Sequence, residues 1–307
     1  MTYESIRSFT ERNFNWFLLS SFLIGMIAPG LDQLPKEIVV YGTGLIIFLA
    51  CARLNFKELE FVDLFTIGGF SLVRFILIPF AIYFIVMLIF PDLAIGSFLL
   101  ALMPAGVAVA VLTSITSGNV ALGLSLTIIS SLLAPAVVPS AFAMLGHMVQ
   151  IDLLNMFLTL VMMVFLPIGM YFGGVRPVAP ARRFLEDNGK FVTVIVMVML
   201  TSVIVAQTRD VFLEDPMFVV RAMAVLAVLF FVFYASAWLL SMKAGEAERI
   251  AYTYGSGAMN NNLGIALAYV YFDAKTAVFL VLSEIVWVLA MALFQTWHKT
   301  RKTLPAT

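Results

Sequence analysis

Two polar interruptions in an otherwise apolar chain are the places where an ion or a small solute could be handled. The first is Met103-Pro104-Ala105-Gly106, and the second is Gly255-Ser256-Gly257-Ala258-Met259-Asn260-Asn261-Asn262. Proline removes a backbone donor and clashes with the preceding turn. Three successive asparagines are poor helix formers and are costly to place in lipid. Such groups are tolerated where they bond freed backbone or line a wet cavity. Taken singly, each break is equally well a proline kink or a polar helix contact. Their matched position in the chain, argued below, makes them a pair. Pro104, Ala105, Gly106 and Asn262 are therefore expected to face a solute.

Glu284 is the other group with chemistry. It is the only acidic residue deep within an apolar run, about halfway along Ala277–Trp297. A carboxyl in that position is a functional candidate by default, here for proton exchange or for contact with a solute. The bland alternatives are a carboxylic acid held neutral, or a salt bridge to Arg74 or Arg221, the two arginines inside apolar runs. Arg74 lies near mid-run and could instead meet an anion. Arg221 is close to an end and is expected to snorkel. Ser125 and Ser130 are read as bonding their own helix backbone. An intramembrane enzyme would need a nucleophile–base pair or a metal set. The chain has one cysteine, Cys51, and two histidines, His147 and His298, and it has no paired aspartates in its apolar runs. Enzyme chemistry, a disulfide framework and a zinc cluster are not expected.

The elements that must position these residues are membrane helices. Hydrophobic residues make up 62% and charged residues 12% of 307, with mean hydropathy +1.04. Soluble domains have roughly twice that charged fraction. A soluble fold and nucleic acid binding are excluded, and the lipid bilayer is the expected environment. Apolar runs bounded by charge, proline or glycine predict ten spans: Asn15–Pro29, Ile38–Ala52, Leu64–Phe90, Leu93–Thr116, Ala121–Leu145, Leu153–Phe172, Phe191–Ala206, Met217–Leu240, Ile250–Phe272 and Ala277–Trp297. The runs are continuous rather than alternating, so helices are expected and not a barrel. The longest loop is expected at Gly173 to Lys190.

Lys and Arg orient the spans. With the N-terminus inside, Arg7, Arg12, Arg53, Lys57, Arg176, Arg182, Arg183, Lys190, Lys243, Arg249, Lys299, Arg301 and Lys302 fall on the inner side, 13 in all. Only Lys36, Arg209 and Lys275 fall outside. Both termini are expected in the cytoplasm of a bacterial inner membrane, with an even number of spans. The chain divides into residues 1–150, spans one to five, and residues 151–307, spans six to ten. Asn15-Trp16-Phe17-Leu18 in span one is weakly echoed by Asn155-Met156-Phe157-Leu158 in span six. Five spans per half make the halves inverted repeats, and the two breaks then fall in the fourth span of each. A matched pair of interrupted helices is the strongest sequence pointer to a transport site.

Met103-Pro104-Ala105-Gly106, Gly118-Asn119-Val120-Ala121-Leu122, Leu132-Leu133-Ala134-Pro135 with Pro139, and Met259-Asn260-Asn261 followed by Leu263-Gly264-Ile265-Ala266-Leu267-Ala268 resemble the bile acid:sodium symporter family. The resemblance is specific in spans four, five and nine. It implies an all-α fold of ten helices in two inverted repeats. Spans 1, 2, 6 and 7 would form a panel. Spans 3–5 and 8–10 would form a core, with spans four and nine discontinuous and crossing. It also implies an ion site near the crossing. Thr127 and Asn261 match the family there, and Ser256 and Asn260 stand where members carry glutamate and glutamine. Val109-Ala110 replaces a Ser-Asn pair, and Gly123 replaces a serine. Sodium is a hard cation that wants several oxygens, so these departures weaken the sodium expectation.

The chain is thus read as a secondary-active transporter of a small organic solute, an organic anion, working by alternating access. Na+ and H+ are the candidate coupling ions, and no cofactor is expected. Proton-coupled or uncoupled transport through Glu284 is the alternative, with an intramembrane enzyme as a remote one. Substrate identity and oligomeric state are not legible.

Overall fold

A computed structural model describes residues 3–52, 64–146 and 151–303. Arg53, Lys57 and His147 lie outside the described residues, as does Gln150 at the expected boundary. The described residues are predominantly helical, and no strand is found among them. The helices are α1 Tyr3–Arg12, α2 Phe14–Ile27, α3 Glu37–Cys51, α4 Leu64–Leu72, α5 Ile78–Ile89, α6 Pro91–Leu102, α7 Ala108–Ile115, α8 Val120–Met144, α9 Leu153–Met170, α10 Ala179–Gln207, α11 Arg209–Glu214, α12 Pro216–Leu240, α13 Glu246–Gly257, α14 Asn261–Tyr271 and α15 Ala274–Thr303. Among the described residues six helical stretches are long and apolar enough to cross a membrane, from Ile67–Ile89 to Ala274–Arg301. Trp16–Ile27, Glu37–Cys51 and Pro91–Leu102 are shorter apolar helices.

Two differences from expectation have simple causes. Most of the loop expected at Gly173 to Lys190 is helix, because α10 begins at Ala179. Pro180 sits in its first turn, where a missing N–H costs nothing, and Arg182 pairs with Glu186 one turn on at 3.7 Å. Charge ends a membrane run without ending a helix. The N-terminal segment also forms a helix of its own, α1, with its polar residues largely exposed.

The chain folds as two compact units that interleave in sequence. One comprises Met1–Leu54, Leu132–Pro216 and Asn262–Val281, the other Asn55–Ser131, Met217–Asn261 and Leu282–Thr307. In the first unit α2 and α3 pack on α10, and α3 also packs on α9. Gly25 makes the α2–α10 approach possible, since a Cβ there would lie 2.6 Å from the Ser202 carbonyl oxygen. Ser202 Oγ donates across the same seam to the Ser21 carbonyl at 3.0 Å. In the second unit Ile67, Phe70, Leu122, Leu126, Ala237, Ala251 and Tyr252 form an apolar cluster. This second unit holds both helix breaks.

Candidate functional site

The predicted interruptions are real breaks. Helical structure stops at Leu102 and resumes at Ala108, then stops again at Gly257 and resumes at Asn261. Proline at 104 cannot continue α6. The extended segments then bond to each other. Ala105 and Met259 form an antiparallel bridge. Gly106 N–H donates to the Ala258 carbonyl at 2.7 Å, and Asn260 N–H donates to the Pro104 carbonyl at 2.8 Å. Gly106 is required by space: a Cβ there would sit 2.9 Å from the Met259 carbonyl oxygen. Buried backbone groups freed by a break must find partners, and here each break supplies them for the other.

Helix α8 completes the shell. Ala105 N–H donates to Ser130 Oγ at 3.0 Å, and Ser130 Oγ donates to the Leu126 carbonyl at 2.6 Å. Thr127 Oγ1 lies 3.1 Å from both the Gly106 and the Gly123 carbonyl oxygens. Ser125 bonds only its own turn, at the Ala121 carbonyl, as its spacing suggests. Ser130 does so as well, but it also receives a donor from the break, which the self-bonding reading missed. Its signal was the i, i+3 spacing from Thr127, which puts both hydroxyls on one helix face. The start of α8 is tied to α13 in turn. Asn119 N–H donates to the Ala247 carbonyl at 2.8 Å, and the Asn119 amide reaches Glu248 Oε1 at 3.2 Å.

Arg74 is the largest fully buried side chain of the unit, with 0% exposure. It sits in a π-helical turn, Val73–Leu77, between α4 and α5. Pro79 follows two residues later, and its ring and missing N–H disfavour an ordinary turn there. The guanidinium points into the crossing. Nη1 donates to the Ala101 carbonyl at 2.7 Å. Nη2 donates to the Ser256 carbonyl at 2.8 Å and meets Met259 Sδ at 3.0 Å. Nε donates to Ser256 Oγ at 2.6 Å, and that hydroxyl donates to the Phe233 carbonyl at 2.9 Å. The guanidinium carbon lies 4.5 Å from the Phe233 ring centre. Among the described residues Arg74 makes no ion pair, so the pairing with Glu284 weighed from sequence is absent. Arg221 does not snorkel freely either: it bonds Asp92 at 3.0 Å.

Glu284, on α15, is 2% exposed and Asn261 3%. The Asn261 side chain lies beside the Glu284 carboxyl. Neither atom of the Asn261 amide nevertheless has a hydrogen bond of good geometry. The contact is a near approach rather than a closed bond, and it leaves a buried amide with unused capacity. Pro104, Ala105, Gly106, Thr127, Ser256, Asn260, Asn261 and Glu284 all belong to one compact unit, whereas Asn262 opens the other. Val109 is fully buried and, like Ala110, offers no oxygen from its side chain. Among the described residues no group of three His, Cys, Asp or Glu could hold a metal ion.

Comparison with known proteins agrees with the resemblance seen in spans four, five and nine. The profile of the SBF-like CPA transporter family matches residues 13–296. The Bacillus subtilis (strain 168) protein YbaS is 27% identical over 212 residues, 65% of this chain and 66% of the relative. The uncharacterized sodium-dependent transporter YocS of the same organism is 25% identical over 317 aligned residues, 99% of this chain and 92% of the relative. With several helices apolar and long enough to cross a membrane and a family match over nearly its whole length, the chain belongs to the SBF-like CPA transporter family of membrane transporters.

Proposed function

We propose that this transporter is secondary-active and moves a small organic anion by alternating access around its two joined helix breaks. The observation that carries the reading is the buried Asn261 amide, without hydrogen bonds beside Glu284, at the start of a half-helix. An unsatisfied buried polar group is expensive unless something visits it. Half-helices beginning at Ala108 and Asn261 present N-terminal backbone donors, whose partial positive charge suits a carboxylate. Pro104, Ala105 and Gly106, in the unit that holds both breaks, are proposed to contact the solute. The ten-span, inverted-repeat arrangement, with repeats at 1–150 and 151–307, is part of the same proposal. The four spans read as the panel, α2, α3, α9 and α10, lie in one compact unit.

The test is uptake of a panel of labelled small carboxylates into proteoliposomes, with sodium and proton gradients imposed separately. Accumulation of at least one carboxylate above its equilibrium level is expected. Equilibration without accumulation under either gradient would reject secondary-active transport. YocS is described as sodium-dependent, which supports sodium as the rival driving ion. The residues here favour the proton, since Glu284 is the buried carboxyl of the site. Replacing Glu284 with glutamine keeps shape and removes the ionisable group. Uptake by the variant is expected to lose its pH dependence. An unchanged pH profile would remove Glu284 from the coupling path.

Orientation is proposed from the basic residues, with both termini cytoplasmic in a bacterial inner membrane. Alkaline phosphatase fused after Thr307 is expected to be inactive, and a fusion in the Lys36 loop active. An active C-terminal fusion would make the span number odd.

A further inference from the structure

We propose that the Arg74 guanidinium is the resident cation of the crossing, filling the position where a coupling ion would otherwise bind. The inference rests on reading the joined breaks as a transport core. The last carbonyls of a helix have no partner within it, and together they carry partial negative charge. Two half-helices end here, α6 at Leu102 and α13 at Gly257. One carbonyl from the last turn of each, Ala101 and Ser256, accepts from Arg74. Paired half-helix C-termini with unwound carbonyls are how transporters of broken-helix design coordinate a cation. In this chain the same chemistry is satisfied by a side chain anchored in the π turn of Val73–Leu77.

The rest of the donor set points the same way. A sodium ion needs several free oxygens. The Ser256 hydroxyl accepts from Arg74 and donates to Phe233. The Pro104 and Ala258 carbonyls accept backbone N–H groups from the opposite break. The Gly106 carbonyl accepts from Val109 N–H and Thr127 Oγ1. Val109, Ala110 and Gly123 add no side-chain oxygen. The Ser256, Pro104, Ala258 and Gly106 oxygens are already taken, so an entering sodium ion would find none of them free. A second cation entering would meet a permanent like charge in low dielectric. Burial without a carboxylate partner suits a guanidinium, which is weakly hydrated, planar and rich in donors. It also lies over the rings of Phe233 and Phe75. A charge tethered to the protein moves with the core and never leaves it. The crossing is thus charged in every state, and the transport cycle does not spend a sodium gradient.

The experiment measures the unfolding midpoint of the purified full chain in detergent, read by tryptophan fluorescence. Trp238, Trp287 and Trp297 report the unit that holds Arg74. Sodium chloride is exchanged for choline chloride at constant ionic strength, and methylguanidinium chloride is titrated at concentrations too low to denature. Wild type is expected to show the same midpoint in sodium and choline and no response to methylguanidinium. Arg74→Ala is expected to melt lower and to regain part of the loss with methylguanidinium or sodium, but not with choline. Arg74→Lys is expected to stay insensitive to sodium. Saturable stabilisation of wild type by sodium over choline would overturn the proposal, as would an Arg74→Ala protein that neither cation stabilises. If Arg74→Ala does not fold, the wild-type sodium titration and Arg74→Lys still decide the matter. None of these measurements uses a transported solute. Failure of every carboxylate in the uptake panel would therefore count against the transport reading, whereas the melting series decides separately whether Arg74 occupies a cation position.

Discussion

Gly106→Val is expected to unlatch the crossing and abolish uptake. Even the first added carbon would lie 2.9 Å from the Met259 carbonyl oxygen and 3.1 Å from that of Ala258. Both neighbours are backbone in a segment already extended, so neither can rotate away as a side chain would. Overpacking costs about 1–3 kcal/mol, and loss of the Gly106–Ala258 hydrogen bond adds about 1 kcal/mol. The midpoint of thermal unfolding should fall, and solute uptake should drop to the level of empty liposomes. Gly68→Val is the control, because a Cβ at Gly68 meets nothing within 4 Å. Equal behaviour of the two variants would mean that the contact between the breaks carries no function.

Asn261→Leu is expected to separate stability from transport. The Asn261 amide is buried and makes no hydrogen bond of good geometry. An unsatisfied buried polar group carries a desolvation cost of about 1–3 kcal/mol with no bond to offset it, and an apolar group of similar size does not. The variant should therefore melt at or above the wild-type temperature. A hydrogen bond to a charged group is worth about 1.5–3 kcal/mol, so losing one to a bound carboxylate should cut uptake by roughly 10- to 100-fold. Asn155→Leu, at an exposed position in the first turn of α9, should leave uptake unchanged. An Asn261→Leu protein that melts higher and transports normally would show that the amide is merely tolerated. One that melts far lower would show that it holds the fold.

The two predictions draw on parts of the molecule that were legible to different degrees. Pro104 and the run of asparagines announce breaks because a missing N–H and poor helix formers act locally, whatever surrounds them. The helices themselves were equally visible. Membrane helices satisfy their own backbone, so a continuous apolar run is sufficient reason for one. The placement of α10 was less visible, because a helix can extend past the lipid once charged residues such as Arg182 and Glu186 replace apolar ones.

Composition and local chemistry thus settle the helical membrane fold, the two breaks and the resemblance in spans four, five and nine, since each depends on neighbours in the chain. Three facts depend on residues far apart in sequence. The breaks bond each other through Gly106 with Ala258 and Asn260 with Pro104. Ser130 turns from its own helix to receive Ala105. Arg74 makes no ion pair with Glu284 and takes the carbonyls of Ala101 and Ser256 instead. From sequence, a buried arginine and a buried glutamate look like partners, because opposite charge is the cheapest guess. Which acceptors a guanidinium meets is decided by where its helix is wound and what lies within a few ångströms, and that is a property of the packed chain alone. Here the π turn before Pro79 aims Arg74 at the Ala101 and Ser256 carbonyls, one in the last turn of each broken helix.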